Sequence, residues 1–346
     1  MDMLIFFLPG ILLFGAITSY EDWKFGKIRN KWVLAGLIYA FAMLCIVISL
    51  LILSSQPINF GYISDYFINL IISFLLSYAL WYSKMWLAGD AKLFTMYAAL
   101  LPLTVYSQGY IKYFPSFTLL VNTFVPLAII LAGIAVLKTD WKTKKDAFKK
   151  IFNKKMILKL IISFFGIYST IKIIIINTFG INLEPIGIIL LMMIIYSSLG
   201  YISKRIGLDK SNMIYYILAI LIIILVIFGG NRIFSLETLP YMILYLIAFV
   251  IFRYFIIELG SIHFSNYFYI SELKPGMMLG EDVYYKNRKI LSKKILTKKD
   301  IYIIKKKIKK GKIKIKQTFP FAPIMFLGVL MTILINGSFL NLSLIF

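Results

Sequence analysis

Long apolar runs, broken at intervals by short clusters of lysine and arginine, dominate the pattern of this chain. A helix needs about 20 consecutive apolar residues to cross the hydrocarbon core of a bilayer. Segments that reach or approach that length lie at approximately 3–20, 32–54, 64–83, 91–110, 116–137, 157–177, 184–203, 213–230, 236–257 and 319–341. The fourth has Asp90 and Lys92 at its start. The sixth carries Lys172 close to its far end, from where the ammonium reaches the interface. The first is not a short apolar region followed by a small-residue cleavage site, so it is expected to be retained. The pattern predicts an all-α polytopic membrane protein with about ten transmembrane helices.

One stretch, 260–318, is polar and long enough to fold outside the bilayer, and it reads as a small α/β module inserted before the last helix. Tyr267–Ser271 looks like a strand and Lys274-Pro275-Gly276 a turn. Asp282–Tyr285 and Lys289–Leu291 form a hairpin pattern around Asn287. Thr297, with Asp300 three residues on, is a shorter variant of the capping box. Ile301, Ile304 and Ile308 follow as the apolar stripe of a helix, and Lys312–Lys316 alternates Lys and Ile as a half-buried strand does. Such a small unit has a marginal core, and docking onto the membrane portion is expected. A second basic segment, Lys138–Lys159, sets Trp141, Phe148, Ile151 and Phe152 among lysines, the make-up of an amphipathic helix lying in the interface. The expected division is a membrane core at 1–137, the basic segment at 138–159, additional transmembrane helices at 160–259, the module at 260–318 and a final helix at 319–346.

Composition and charge sharpen this picture. Hydrophobic residues make up 60% and charged residues 15%, against about 45–50% and 25% in soluble domains. Of the 38 Lys and Arg, only Lys112, Lys172 and Arg232 fall outside the loops that follow the odd-numbered spans and the span ends that border those loops. By the positive-inside rule those loops face the cytoplasm of a multi-pass cell-membrane protein, with both termini outside. The formal charge of +23 is therefore chiefly topological, supplemented by attraction to anionic membrane lipids. Nucleic acid is not an expected partner: the run Lys305-Lys306-Lys307-Ile308-Lys309-Lys310 has no interleaved aromatics on which bases could stack.

Cys45 is the only cysteine and His263 the only histidine. That removes a disulfide framework, a CxxC metal knuckle and HExxH zinc chemistry, and no metal or other cofactor is expected. Carboxylates are scarce, and two sets sit beside the membrane at the same face. Glu21 and Asp22 follow the first span in Ser19-Tyr20-Glu21-Asp22-Trp23-Lys24-Phe25-Gly26-Lys27-Ile28-Arg29-Asn30, and Asp90 lies in Trp86-Leu87-Ala88-Gly89-Asp90-Ala91-Lys92-Leu93. Two carboxyls brought together share a proton, because like charges a few ångströms apart resist ionising together. One acid and one carboxylate is what an aspartic protease needs, the base activating water and the acid protonating the carbonyl oxygen. On pattern alone, ordinary interfacial charges remain an alternative.

These residues resemble the type IV prepilin and archaeal preflagellin peptidase family. Ser-x-x-Asp with a basic loop ending in Ile28-Arg29-Asn30 resembles its first Asp motif. Ala88-Gly89-Asp90-Ala91-Lys92-Leu93 resembles its second, GxGD followed by x-Lys, with Leu87 at the first glycine. Phe319-Pro320-Phe321-Ala322-Pro323 resembles the stretch opening the family's final helix, and Glu272-Leu273-Lys274-Pro275-Gly276-Met277 the small cytoplasmic module of archaeal members. The resemblance implies an intramembrane aspartic endopeptidase with Asp22 and Asp90 as the catalytic pair, Gly89 and Lys92 binding substrate or tuning the site, and pilin-like or archaellin precursors as partners. It covers the first five spans and the last. The bacterial cysteine-rich domain associated with N-methylation is missing, and about four spans are additional.

Neighbouring residues have plainer expected roles. Glu21 reads as a surface charge, and Arg253 and Glu258 as interfacial residues. Gly260-Ser261-Ile262-His263 lacks the separate helices of a serine-protease dyad. Gly89 permits close backbone approach or helix packing, and Lys92 is either a tuning group or an anchor. Competing functions are a proton-coupled transporter, which would favour mid-span charges and paired broken helices, and a catalytically silent scaffold.

Overall fold

The computed structural model describes residues 3–55, 57, 59–83, 86–107, 113–172, 188, 191–196, 199, 215, 217–222, 239–252, 254, 265–275, 277–285, 288–291, 296–308, 311–316 and 320–339. Most of the expected spans 184–203 and 213–230, along with Arg253, Glu258 and His263, lie outside the described residues. The protein is mostly helical. Among the described residues, four helices are long and apolar enough to cross a membrane: α1 (Leu4–Phe25), α2 (Asn30–Leu53), α3 (Phe60–Tyr82) and α5 (Phe117–Lys138). Further helices that the described residues delimit are α4 (Ala88–Leu100), α6 (Trp141–Ile151), α7 (Lys154–Ile171), α8 (Leu239–Phe252), α9 (Lys298–Lys307) and α10 (Ala322–Ile335). The apolar part of α7 and the apolar helices α8 and α10 are shorter.

The chain divides into two units. The first comprises Met1–Leu127, Phe152–Ile251 and Phe321–Phe346, and the second Ala128–Ile151 and Phe252–Pro320. In the first, α4 is the inner helix: Leu93, Phe94 and all of Met96–Leu100 are fully buried. The expected span 91–110 is not one continuous helix. It stops at Leu100, Leu101 is extended, and Pro102 precedes a single 3-10 turn at Leu103–Tyr106. Proline supplies no N–H and turns the residue before it away from the helical region. Thirteen helical residues rise about 20 Å, so α4 is a short core helix and the segment continues beyond it through Leu101 and the turn at Leu103–Tyr106.

Around it the outward faces are apolar. Leu13, Leu34, Ile38, Ile71 and Phe74 are each more than half exposed, a surface suited to lipid and not to water. Because lipid is as apolar as leucine, helices here associate through close approach and interhelical hydrogen bonds. Gly15 lets α1 meet α10, since a Cβ there would overlap the Phe326 ring. A Cβ on Gly328 would lie 3.1 Å from the Thr123 backbone of α5. Polar clamps add direction. Asn69 donates to Ser116 Oγ at 2.9 Å and accepts the Ser116 N–H at 3.0 Å. Asn122 of α5 donates to Thr332 Oγ1 of α10 at 2.9 Å and to the Gly337 carbonyl at 2.8 Å. Together these contacts fix where α10 begins, which matters for the site.

The second unit contains all five strands described: β1 (Ser265–Tyr269), β2 (Met278–Leu279), β3 (Val283–Tyr285), β4 (Arg288–Leu291) and β5 (Lys312–Lys316). β5 is the middle of an antiparallel sheet ordered β1-β5-β2, and β3 pairs with β4. Helix α9 opens with a reciprocal cap: Thr297 Oγ1 accepts the Asp300 N–H at 3.2 Å, and Asp300 Oδ2 accepts the Thr297 N–H at 3.0 Å. Ile301 and Ile304 then face a core shared with Ile270, Leu279, Ile313 and Ile315. In the same unit, Tyr254 donates to the Lys144 carbonyl of α6 at 2.9 Å.

Candidate functional site

The two carboxylate motifs, 68 residues apart in sequence, adjoin in the first unit. Asp22 stands in the last turn of α1, which ends at Gly26 in a left-handed conformation with its N–H on the Asp22 carbonyl at 2.9 Å. Glycine accepts that conformation without a Cβ penalty, so the helix closes at once and the chain turns into the Lys27-Ile28-Arg29-Asn30 loop. Asp90 stands in the first turn of α4, where its Oδ2 accepts the Leu87 N–H at 3.2 Å. The loop and the start of α4 meet at two points. Ile28 lies beside Gly89, and Lys92 Nζ donates to Asn30 Oδ1 at 2.9 Å.

Both aspartates are buried, each 8% exposed. Asp22 sits at the C-terminal end of its own helix, where the macrodipole disfavours a negative charge. The opposing influence comes from α10: Asp22 Oδ2 accepts the N–H of Ala322, the first residue of that helix, at 2.9 Å. A helix N-terminus offers both a free N–H and a favourable field to an anion. Asp90 lies outside the four membrane-length helices and one residue ahead of the apolar run that continues from it. Burial pushes its carboxyl from an ordinary value of 3.8 up to about 7; the Leu87 N–H works in the opposite direction, and the charge of Asp22 adds to the rise. The two carboxyls are thus near enough to influence each other, and one of them holds its proton close to neutrality.

An aromatic group closes one side. Trp86 stacks on Phe124 at 5.7 Å between ring centroids, and Phe321 lies 5.3 Å from Phe124 and 6.1 Å from Trp86. Phe321 immediately precedes the N–H that holds Asp22, so this packing sets the position of the hydrogen bond. Sequence reading had no signal for the Trp86 contact. It had one for α10, in the Pro320-Phe321-Ala322-Pro323 stretch.

The other expected residues divide. Lys92 is exposed and bonded to Asn30, so in this arrangement it ties α4 to the start of α2 rather than pairing with a carboxylate. At Gly89 a Cβ would meet Ile28 at 3.5 Å, an ordinary contact, and no left-handed backbone requires glycine. Glu21 is not the surface charge expected: it is 5% exposed. Its carboxylate accepts the Trp32 Nε1–H at 2.8 Å and the Arg29 N–H at 3.1 Å, and pairs with Arg29 Nε at 3.0 Å. Glu21 therefore holds the loop that carries Ile28 and Asn30, fastening α1 to α2. The sequence signal was the spacing of a Trp and an Arg within the basic loop, which reads as an interfacial pattern until the partner is seen.

No family model matches the chain, and no curated protein or solved structure does either.

Proposed function

We propose that the chain is a membrane-embedded aspartic endopeptidase that removes short basic leaders from type IV pilin-like or archaellin precursors at the cytoplasmic face. The observation that carries this reading is the meeting of the two carboxylate motifs, with Asp22 held by the Ala322 N–H and Asp90 buried beside it. In the proposed reaction the Asp22 carboxylate takes a proton from water as its oxygen attacks the scissile carbonyl carbon. Asp90 gives its proton to the carbonyl oxygen. The tetrahedral intermediate then collapses and the C–N bond breaks: Asp22 gives the proton it took from water to the leaving amine, and Asp90 takes one back from a hydroxyl of the intermediate, so both groups return to their starting state. Gly89, packed beside Ile28, keeps the start of α4 against the basic loop, and Lys92, through Asn30, keeps that loop in register. No cofactor enters.

The wider frame belongs to the same proposal: about ten spans in the cell membrane, both termini outside, and a cytoplasmic segment at 260–318. In that frame the hydrophobic helix of the precursor lies in the bilayer while water reaches Asp22 and Asp90 from the cytoplasm. Isolated membranes carrying the chain should convert a precursor with an intact leader to a smaller product. A precursor left uncut by correctly inserted protein, for both the pilin-type and the archaellin-type substrate, overturns the reading. A reporter fused after Phe346 should lie outside the cell, and a cytoplasmic reporter breaks the topology.

A further inference from the structure

The sheet of the second unit has two unlike faces. Alternate residues along a strand point to opposite sides, and on one side Phe268, Ile313 and Ile315 join the core beneath α9. On the other side Tyr267 and Tyr269 are 60% and 53% exposed. The register sets Tyr267 opposite Lys314 and Tyr269 opposite Lys312, and Lys312 Nζ lies over the Tyr269 ring, 4.7 Å from its centroid. An open sheet face is ordinarily covered by polar residues. This one pairs exposed phenol rings with ammonium groups across two strands.

We propose that this open face, formed by Tyr267, Tyr269, Lys312 and Lys314, binds anionic phospholipid headgroups. Tyrosine suits the headgroup level, where the ring meets apolar material and the hydroxyl meets water. Lysine is drawn to anionic lipid phosphates. Charge is complementary well beyond the face: residues 252–320 hold 17 Lys and Arg against five Asp and Glu. The same unit repeats the combination on α6, where Trp141 is 78% exposed among Lys142, Lys144 and Lys145. The strands are bracketed in sequence by the apolar helices α8 and α10, and five residues separate Lys316 from Ala322. With those helices in a bilayer, the tether holds phosphates at an effective concentration that a free anion does not match. Single-stranded nucleic acid fits less well, because it needs free ring faces for stacking and Lys312 already occupies one.

The test uses the full chain in vesicles, with Cys45→Ser removing the only cysteine and Ser271→Cys, just after β1, carrying a fluorophore. Headgroup nitroxide lipids should quench the label at least threefold more strongly in phosphatidylcholine vesicles containing phosphatidylglycerol than in phosphatidylcholine alone, and about 0.5 M salt should remove the difference by screening. Lys312→Gln/Lys314→Gln and, separately, Tyr267→Ser/Tyr269→Ser should each reduce the quenching. Equal quenching in both lipids, none in either, or quenching untouched by both double variants overturns the proposal. So does a label shielded only by added polyglutamate, which would assign the face to an acidic protein. The readout does not involve precursor cleavage, so its outcome is separate from that of the proposed reaction.

Discussion

Asp90→Asn separates the proton-transfer role of Asp90 from its place in the fold. Asparagine keeps an oxygen that can accept the Leu87 N–H and keeps the shape, but it carries no exchangeable acidic proton. Cleavage should fall by roughly 10²–10⁴-fold, the usual worth of a positioned acid or base. Stability should move the other way. Burial is the chief reason the carboxyl is pushed from 3.8 up to about 7, and that rise corresponds to about 4 kcal/mol. Through that window the unfolded chain gives up the proton while the folded chain keeps it. Wild-type stability therefore falls as pH rises from about 4 to 7 and is level above. The variant has no such group, so its advantage over wild type should grow by about 2–3 kcal/mol between pH 5 and pH 8. Thermal unfolding in detergent at pH 5, 6, 7 and 8, run beside precursor cleavage, gives both numbers. A stability difference that stays flat across that range refutes the burial argument. Cleavage at the wild-type rate refutes the aspartic mechanism and returns the transporter and scaffold functions to contention.

Asp22→Asn should abolish cleavage while the protein remains in the membrane, and combining it with Asp90→Asn should be no worse than either alone, as for groups acting as one unit. Glu21→Gln should keep most activity, because Glu21 has no proton-transfer step. It should still cost about 1–2 kcal/mol, since an amide cannot accept both the Trp32 and Arg29 donors as the carboxylate does; an unchanged melting point would refute the fastening role. Lys92→Ala should cleave at near the wild-type rate and lose less than about 1 kcal/mol, as its bond to Asn30 is exposed. A tenfold loss of activity without a matching loss of stability would make Lys92 part of the chemistry.

Element by element, legibility followed how local the cause was. The apolar runs of α1, α2, α3 and α5 declare themselves by length alone, and the structure places them within a few residues of the expected segments. The cap at Thr297 and Asp300 and the alternation at Lys312–Lys316 are equally local, and α9 and β5 stand where those patterns put them. Hydropathy is blind to Pro102, which is why 91–110 reads as one continuous span. The run stays apolar past Leu100, but the helix does not, and α4 becomes the short buried hub. Helix α6, at Trp141–Ile151, covers only the middle of the amphipathic segment expected at Lys138–Lys159.

The site was legible as a pair of residues and not as an arrangement. Scarcity of acidic residues draws attention to Glu21, Asp22 and Asp90 alike, and only the resemblance of their motifs singles out Asp22 and Asp90 as the candidate pair. What holds them depends on geometry throughout. The Ala322 N–H reaches Asp22 from 300 residues away, and it arrives there because Gly15 and Gly328 admit α10 between α1 and α5 while Asn122 grips its far end. None of those contacts has a sequence spacing that announces it. Glu21 shows the converse. Adjacent to Asp22 and of the same charge, it differs from it by one methylene, yet successive helical residues point about 100° apart. One carboxylate turns to Trp32 and Arg29 and is engaged by their donors; the other turns to α10, where among the described residues the Ala322 N–H holds one oxygen and the second is left for the proposed chemistry. That rotation by one residue distinguishes the fastening group from the proposed base.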